Sequence, residues 1–591
     1  MANRARVILR IVANQHGASM MAAQGHERVE WSTFAEWARA ALGPDRPFLT
    51  MALIYGAAIG LLSLATPISV QMLINSVANT ALPAPLFTLA GVLLALLLLW
   101  AFLGAMRIYV MEMFRRRVFA RIVAEITLQA VHAQNPFFQD DRRGDLFNRF
   151  FEVMNVQKAI PSLLVGGFSI FFQAMVGFIV TSFYHPVFLG FNLAFIFTVW
   201  LIWKLWARRA MESGIALSHR KYETAHWLES VGASNGFYKS SRHLDYAMDM
   251  SENRTAAYVE AHANHFRATF PQAVALLLLY AIASAVLLAM GGWLVIQGQL
   301  SIGQLVAAEL ILSSIFYGAA QLGPYLDTFY DLVAAVEELS LFRAITLEDV
   351  PTEAGDGARP RDGALALRQV RITADGEEAS FDLVIPAGAH VVAAADPGVD
   401  RLLARLLKRH YRPDAGIVSL GDADISALNI YQLRSDVIVL DRPTIVESSI
   451  RDYLRLADPT ASSAKVLDAL ELVGLGERIT RLPLGLDSLL SSTGWPLSVA
   501  DMMRLKLAGA ILARPRLLIL SNLFDMLPSE ELRAAVRQLD GGDGSTIIVF
   551  TARPDALGFD HMLWLGRTRQ LLTQDPNAFA AARGGDDAVS R

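Results

Sequence analysis

Six apolar stretches, each long enough at roughly 20 residues to cross a bilayer, begin near Phe48, Pro85, Ile160, Pro186, Pro271 and Ile302 of a 591-residue chain. Nothing constrains the fold more, because a segment in hydrocarbon must satisfy its own backbone hydrogen bonds and therefore forms a helix. The composition agrees: 53% hydrophobic and only 18% charged residues, with a formal net charge of -4, are too apolar for an ordinary soluble protein. The absence of cysteine excludes disulfides, thiolate metal sites and a cysteine nucleophile. The first thirty or so residues hold no apolar run long enough for a signal peptide, so an uncleaved cytoplasmic N-terminus is expected.

The loops separate by charge. "NSVANTALPAP", "SFYHP" and "QGQLS" are short and carry no Lys or Arg, whereas 107–158 and 204–267 are long, helical in pattern and basic, as in "MFRRRVFARI" and "KLWARRAMESGIALSHRKYE". The positive-inside rule puts the bare loops outside and the basic ones in the cytoplasm, with both termini inside. "EDVPTEAGDGARPRDGA" then marks a linker, rich in Pro, Gly and charge. Beyond it, "VVAAA", "DVIVL", "LLILS" and "TIIVFT" are buried-strand runs alternating with helical segments such as "LLARLLKRHY", and "ADGEE" is a hairpin turn. This is an α/β layout of nucleotide-binding type. The divisions expected are 1–47, a cytoplasmic segment with an elbow helix; 48–346, the membrane domain; 347–363, the linker; 364–575, the α/β domain; and 576–591, a frayed tail.

That order resembles an ATP-binding cassette (ABC) exporter half-transporter of type I exporter fold, nearest the type I secretion and peptide-exporter branch. The residues carrying the resemblance are "NPFFQDDRRGDLFNRF", similar to a first cytoplasmic coupling region, "GQLSIGQLVAAELILSSIFYGAAQL", similar to the start of a sixth helix, and "MRLKLAGAILARPRLLIL", similar to the run from signature helix to Walker B. The resemblance implies a six-helix ABC exporter transmembrane domain followed by an α/β P-loop-type nucleotide-binding domain. It also implies coupling regions at Phe137, Phe138, Gly144 and Asp145, and at Glu229 and Ser230.

The chemistry departs from the pattern at each motif. A Walker A loop needs glycines that let backbone N–H groups wrap phosphate, a lysine, and a hydroxyl for magnesium. In "AADPGVDRLL" one alignment keeps Gly398 and places Ala395, Asp400, Arg401 and Leu402 at the first glycine, third glycine, lysine and hydroxyl; a second puts Asp400 at the lysine. An anion there would repel phosphate by about 1 to 4 kcal/mol at ~4 Å, and Arg401 beside it compensates only partly. Walker B needs an Asp for magnesium and a Glu for the attacking water; in "LLILSNLFDMLP" Ser521 and Asn522 stand there, neither a base near neutral pH. Asp441 replaces the Q-loop glutamine, Ala552 the H-loop histidine and Ala374 the aromatic that stacks on adenine. The signature reads Leu497-Ser498-Val499-Ala500-Asp501, with β-carbons where two glycines would allow close backbone approach and a negative charge at the helix start.

These losses together imply a non-catalytic half-transporter, with no cofactor for this chain alone and MgATP at a partner's site. The resemblance implies a second half-transporter, a heterodimer being favoured and a homodimer possible, in a lipid bilayer, most simply a bacterial inner membrane, with no nucleic-acid partner. Two alternatives remain open: an ATP-independent structural or regulatory membrane protein on the same scaffold, and an unusual ATP-driven homodimer. Among other candidates, Glu309 is costly in a bilayer and reads as an intramembrane functional or helix-pairing residue, and Gln173 and Gln321 read as interhelical hydrogen-bonding residues. The twelve histidines show no metal spacing. His185 and His410 read as surface residues, and the arginines at 115–117 and 208–209 as positive-inside anchors.

Overall fold

The computed structural model describes residues 43–80, 83–134, 145–343, 345–348, 359–374, 377–539 and 544–585. The expected elbow helix, Phe137, Phe138, Gly144, most of the linker and the end of the tail lie outside them. The described residues form two compact units that divide between Leu347 and Glu348.

In the first unit, six helical stretches are long and apolar enough to span a membrane: Gly43–Asn75, Leu86–His132, Leu146–Ser182, Pro186–Ala233, Ser241–Ile296 and Ile302–Arg343. Several far exceed the hydrocarbon core. The helix Pro186–Ala233 has 48 residues, about 72 Å at 1.5 Å per residue, against a core of about 30 Å. Proline decides where the first and last spans break. The first divides into α1 (Arg46–Leu62) and α2 (Ala65–Thr80), because the Pro67 ring would strike the carbonyl four residues back, at Ser63; at the break the Ser63 hydroxyl donates to Gly60 O (2.7 Å). After α3 (Pro83–His132), the third span comprises α4 (Glu152–Ser162), a π turn over Leu163–Gly167, and α5 (Phe168–Ser182). Helices α6 (Pro186–Ala233) and α7 (Ser241–Ile296) are continuous. The last span divides into α8 (Ile302–Ala320) and α9 (Leu322–Arg343), Pro324 acting against Ala320 by the same steric rule. Close approach of α5 to α8 needs Gly177, where a Cβ would come within 2.6 Å of Ile315 and 2.7 Å of Ile311. On the same pair of helices Gln173 donates to Ser314 Oγ (3.0 Å), an interhelical bond of the kind expected of it.

The second unit is α/β. Strands β1 (Leu365–Ala374), β2 (Glu377–Ile385), β4 (Ala415–Leu420) and β5 (Ala423–Asp424) form an antiparallel sheet in the order β2-β1-β4-β5. A six-stranded sheet runs β12-β11-β3-β10-β9-β6, from β3 (His390–Ala395), β6 (Val437–Leu440), β9 (Leu517–Leu520), β10 (Thr546–Phe550), β11 (His561–Leu565) and β12 (Gln570–Thr573). Its neighbours pair in parallel except β11 with β12. The unbroken apolar runs at β9 and β10 are buried along their whole length, as a sheet covered on both faces requires. One face packs on α10 (Val399–Leu407) and the antiparallel sheet. The other packs on a helical layer including α12 (Ile450–Ala457), α13 (Ser463–Leu472), α15 (Val499–Ala513) and α16 (Ser529–Leu539); the unit also holds α11 (Ile430–Asp436), α14 (Gly476–Thr480) and the antiparallel pair β7 (Ser448–Ser449) and β8 (Leu489–Leu490). The expected frayed tail is corrected in its first part: Pro576–Gly585 is a helix, anchored by Phe579 buried against Met562 and Trp564.

Candidate functional site

In an open parallel sheet, ligands bind beyond the carboxyl ends of the strands. Ala395 ends β3, Asp441 follows β6, Ser521 follows β9 and Ala552 lies just past β10, so the sheet gathers four of the motif positions along one edge. Ala374 ends β1, buried and paired with Glu377 across the hairpin. Leu497 to Asp501 belong to a different element, the start of α15.

The turn between β3 and α10 is only Asp396, Pro397 and Gly398. Gly398 takes φ +90°, a conformation glycine alone adopts without strain. The turn closes on itself: Val399 N–H donates to Asp396 O (3.1 Å), and the Asp396 carboxylate accepts from Arg567 N–H (3.2 Å). Pro397 has no N–H to offer. Asp400 lies in the first turn of α10, where a carboxylate is favoured by the helix dipole. Arg401 follows it and is exposed, while Leu402, at the hydroxyl position, is buried in the core.

At the Walker B position Ser521 is buried, and its hydroxyl accepts from Leu523 N–H (3.4 Å), capping the 3-10 turn Asn522–Met526; Asn522 is exposed. Within that turn stands a residue the sequence pattern did not single out. The Asp525 carboxylate accepts from the Thr551 hydroxyl and from Ala552 N–H (2.9 Å), and Asp525 O accepts from the Arg553 guanidinium. The segment that should carry the H-loop histidine is thereby clasped to the turn after β9. A charged residue inside the apolar run "NLFDMLP" was the available signal.

At the signature, Ser498 and Asp501 form a capping box. Ser498 Oγ accepts from Asp501 N–H (3.2 Å), and the Asp501 carboxylate accepts from Ser498 N–H (3.3 Å). Asp501 also pairs with Arg504 (3.3 Å), and Arg504 bonds Glu531 on α16 (2.9 Å), which holds its guanidinium above the ordinary arginine value. Val499, 46% exposed, and Ala500 fill the two positions inside the box. Asp441 is exposed next to Arg442, whose carbonyl accepts from Lys506 Nζ (2.6 Å). Burial pushes the Lys408 and Lys506 ammonium groups below their ordinary values, and the Asp441 carboxylate opposes that push in both.

His410, read as a surface residue, is corrected. Its side chain is 15% exposed, Arg434 Nη2 donates to its Nδ1 (3.1 Å), and the Glu348 carboxylate that bridges Arg434 (2.7 and 2.8 Å) lies 3.7 Å away. Burial, with Arg434 and Lys408 nearby, pushes its pKa down to about 4. The sequence missed this because the partners come from three separate segments. His185 caps α6, its Nδ1 accepting from Val187 N–H (3.2 Å).

In the membrane unit, Asp145 opens a 3-10 segment whose Asn148 donates to Glu229 (2.8 Å). The two expected coupling regions are therefore joined, while Ser230 only receives the C-terminal backbone bond of α6 through its carbonyl. Glu309 accepts from Ser313 one turn along α8 (2.9 Å), and its second carboxylate oxygen is buried with no hydrogen bond from a described residue.

Residues 49–221 match the family described as ABC transporter transmembrane region. The structure superposes on a bacterial Atm1-family ABC exporter with ATP bound, at TM-score 0.78 and 17% identity, over 92% of this chain and 99% of that one. The chain has the ABC exporter fold, an integral membrane protein of six apolar helical stretches followed by an α/β domain, and its sequence is similar to type I secretion ABC proteins. Among its relatives, the cyclolysin secretion/processing ATP-binding protein CyaB of Bordetella pertussis is 24% identical over 88% of this chain and 74% of its own length. The alpha-hemolysin translocation ATP-binding protein HlyB of Escherichia coli O157:H7 is 23% identical over 82% and 69%. ABC exporters act as dimers in a membrane.

Proposed function

We propose that this chain is the non-catalytic half of an ABC exporter, in a bacterial inner membrane with its α/β domain in the cytoplasm, paired with a half-transporter whose motifs are intact. One observation carries the reading: the groups at the nucleotide positions are hydrogen-bonded into the fold as caps and clasps. Pro397 removes a donor, Val399 N–H is turned inward, Asp400 stands at the helix start and the Ser521 hydroxyl closes a turn. These residues do not fit MgATP, so no hydrolytic step runs through them. A nucleotide held by the partner's loop would meet a signature whose Ser498 is engaged by Asp501 and whose Val499 adds bulk.

The relatives' names concern cyclolysin secretion and alpha-hemolysin translocation, which supports a peptide or protein as cargo. Calorimetric titration of MgATP into the purified chain, repeated with its co-expressed partner, tests the proposal. Heat of binding appears only with the partner; saturable binding or turnover by this chain alone overturns the reading. Replacing Ser521→Asp and Asn522→Glu together leaves the chain inactive, because the phosphate loop is unchanged.

A further inference from the structure

A cluster that no nucleotide motif uses lies in the membrane unit, where α6 meets α9. His219 of α6 and the neighbours Glu337 and Glu338 of α9 bring one ligand atom each within 4.8 Å of one another. His219 Nε2 is 3.1 Å from Glu337 Oε2 and 3.8 Å from Glu338 Oε1. A tetrahedral ion bound at about 2.0–2.2 Å has ligand-to-ligand edges of roughly 3.3–3.6 Å, so the two spacings to His219 need adjustments of only a few tenths of an ångström, and the third edge is already within 4.8 Å. The place is wet enough for an ion to arrive. His219 is 33 residues along α6 from Pro186, about 50 Å at 1.5 Å per residue, well past a hydrocarbon core of about 30 Å.

The bland reading is a buried ion-pair network, and part of it is present. Arg149 pairs with Glu338 Oε2, and Lys221 and Tyr222 hold Glu152 nearby. That network leaves one atom unexplained. Glu338 is 0% exposed, yet its Oε1, the oxygen facing His219, receives no hydrogen bond from a described residue. The Ser218 hydroxyl beside the same carboxylate is also buried. A buried charged acceptor left unmatched is expensive.

We infer that His219, Glu337 and Glu338 form a site for a first-row divalent transition-metal ion, Zn²⁺ foremost. One imidazole and two carboxylates suit such an ion; it would complete Glu338 Oε1 and clamp α6 to α9. No residue of the nucleotide motifs takes part, so the inference stands or falls independently of the proposed function.

The test is a titration of the purified, tag-free, metal-stripped full chain in detergent with Co²⁺ as a spectroscopic probe. The expected result is a visible d–d band that saturates at one ion per chain, disappears on addition of Zn²⁺, and weakens about tenfold or more in apparent affinity in E337Q and E338Q. His219→Ala abolishes it. Absence of a saturable band in the folded wild-type chain, or a band that survives in H219A, overturns the assignment. Size-exclusion profiles of the two glutamine variants, which keep the glutamate volume, separate loss of the ion from loss of the fold.

Discussion

Replacing Asp525→Ala removes the carboxylate that clasps the H-loop segment, and the structure sets how much that should cost. Two bonds to the carboxylate are lost, from the Thr551 hydroxyl and from Ala552 N–H, whereas the bond from Arg553 to Asp525 O involves the backbone and survives. A hydrogen bond to a charged group contributes about 1.5–3 kcal/mol net, and most where the abandoned donor cannot reach water. Thr551 is buried and loses its acceptor in full, while Ala552 is exposed and recruits water. The total is therefore about 2–3 kcal/mol, or roughly 4–12 °C in melting temperature for a unit of this size. Scanning fluorimetry of the full chain in detergent reads the shift, and hydrogen exchange over 551–556 reads the local loosening. Asp525→Asn should fall between, since one amide oxygen can accept from a single donor and its NH₂ faces the other. A shift below about 1 °C in D525A, with unchanged exchange at Ala552, would refute the clasp as a structural element.

The remaining predictions are brief. Ser498→Ala removes the N-cap of α15 and costs about 1 kcal/mol, seen as a lowered denaturation midpoint with an unchanged slope. His410, held neutral in the fold with its pKa pushed from 6.5 down to about 4, makes the unfolded chain bind more protons between those values. Stability is therefore full above about pH 6.5 and falls as pH drops toward about 4, by at most about 3 kcal/mol; His410→Gln should remove that part of the slope when midpoints are compared between about pH 7 and pH 4.5.

Much of the fold was legible because its determinants are local. Each apolar span announces a membrane helix by itself, and runs such as Leu517–Leu520 read as covered strands. The site was legible only as subtraction. The sequence shows that Ser521, Asn522 and Ala552 lack the needed chemistry; it does not show that Asp525 reaches from the turn after β9 to the end of β10, since 26 residues separate Thr551 from it. His410 was misjudged, and the His219 cluster passed over, for the same reason. Spacing along the chain identifies groups sharing one helix face or loop, while their partners, Glu348 and Arg434 in one case and Glu337 and Glu338 in the other, arrive from distant segments. The tail failed differently: a single Phe579 in an alanine-rich run gives almost no periodicity, yet one buried aromatic is enough to dock a short helix.

The proline breaks of the first and last spans carry a mechanical consequence. A continuous helix is a stiff rod and passes torque from end to end, as α6 does across 48 residues. A rod jointed at Ser63–Leu64 or at Gln321 bends under load before it turns its far end. The segments beyond those joints therefore gain compliance of their own. A push delivered to the far end of α9 reaches α8 attenuated, and α8 can shift with what it packs against.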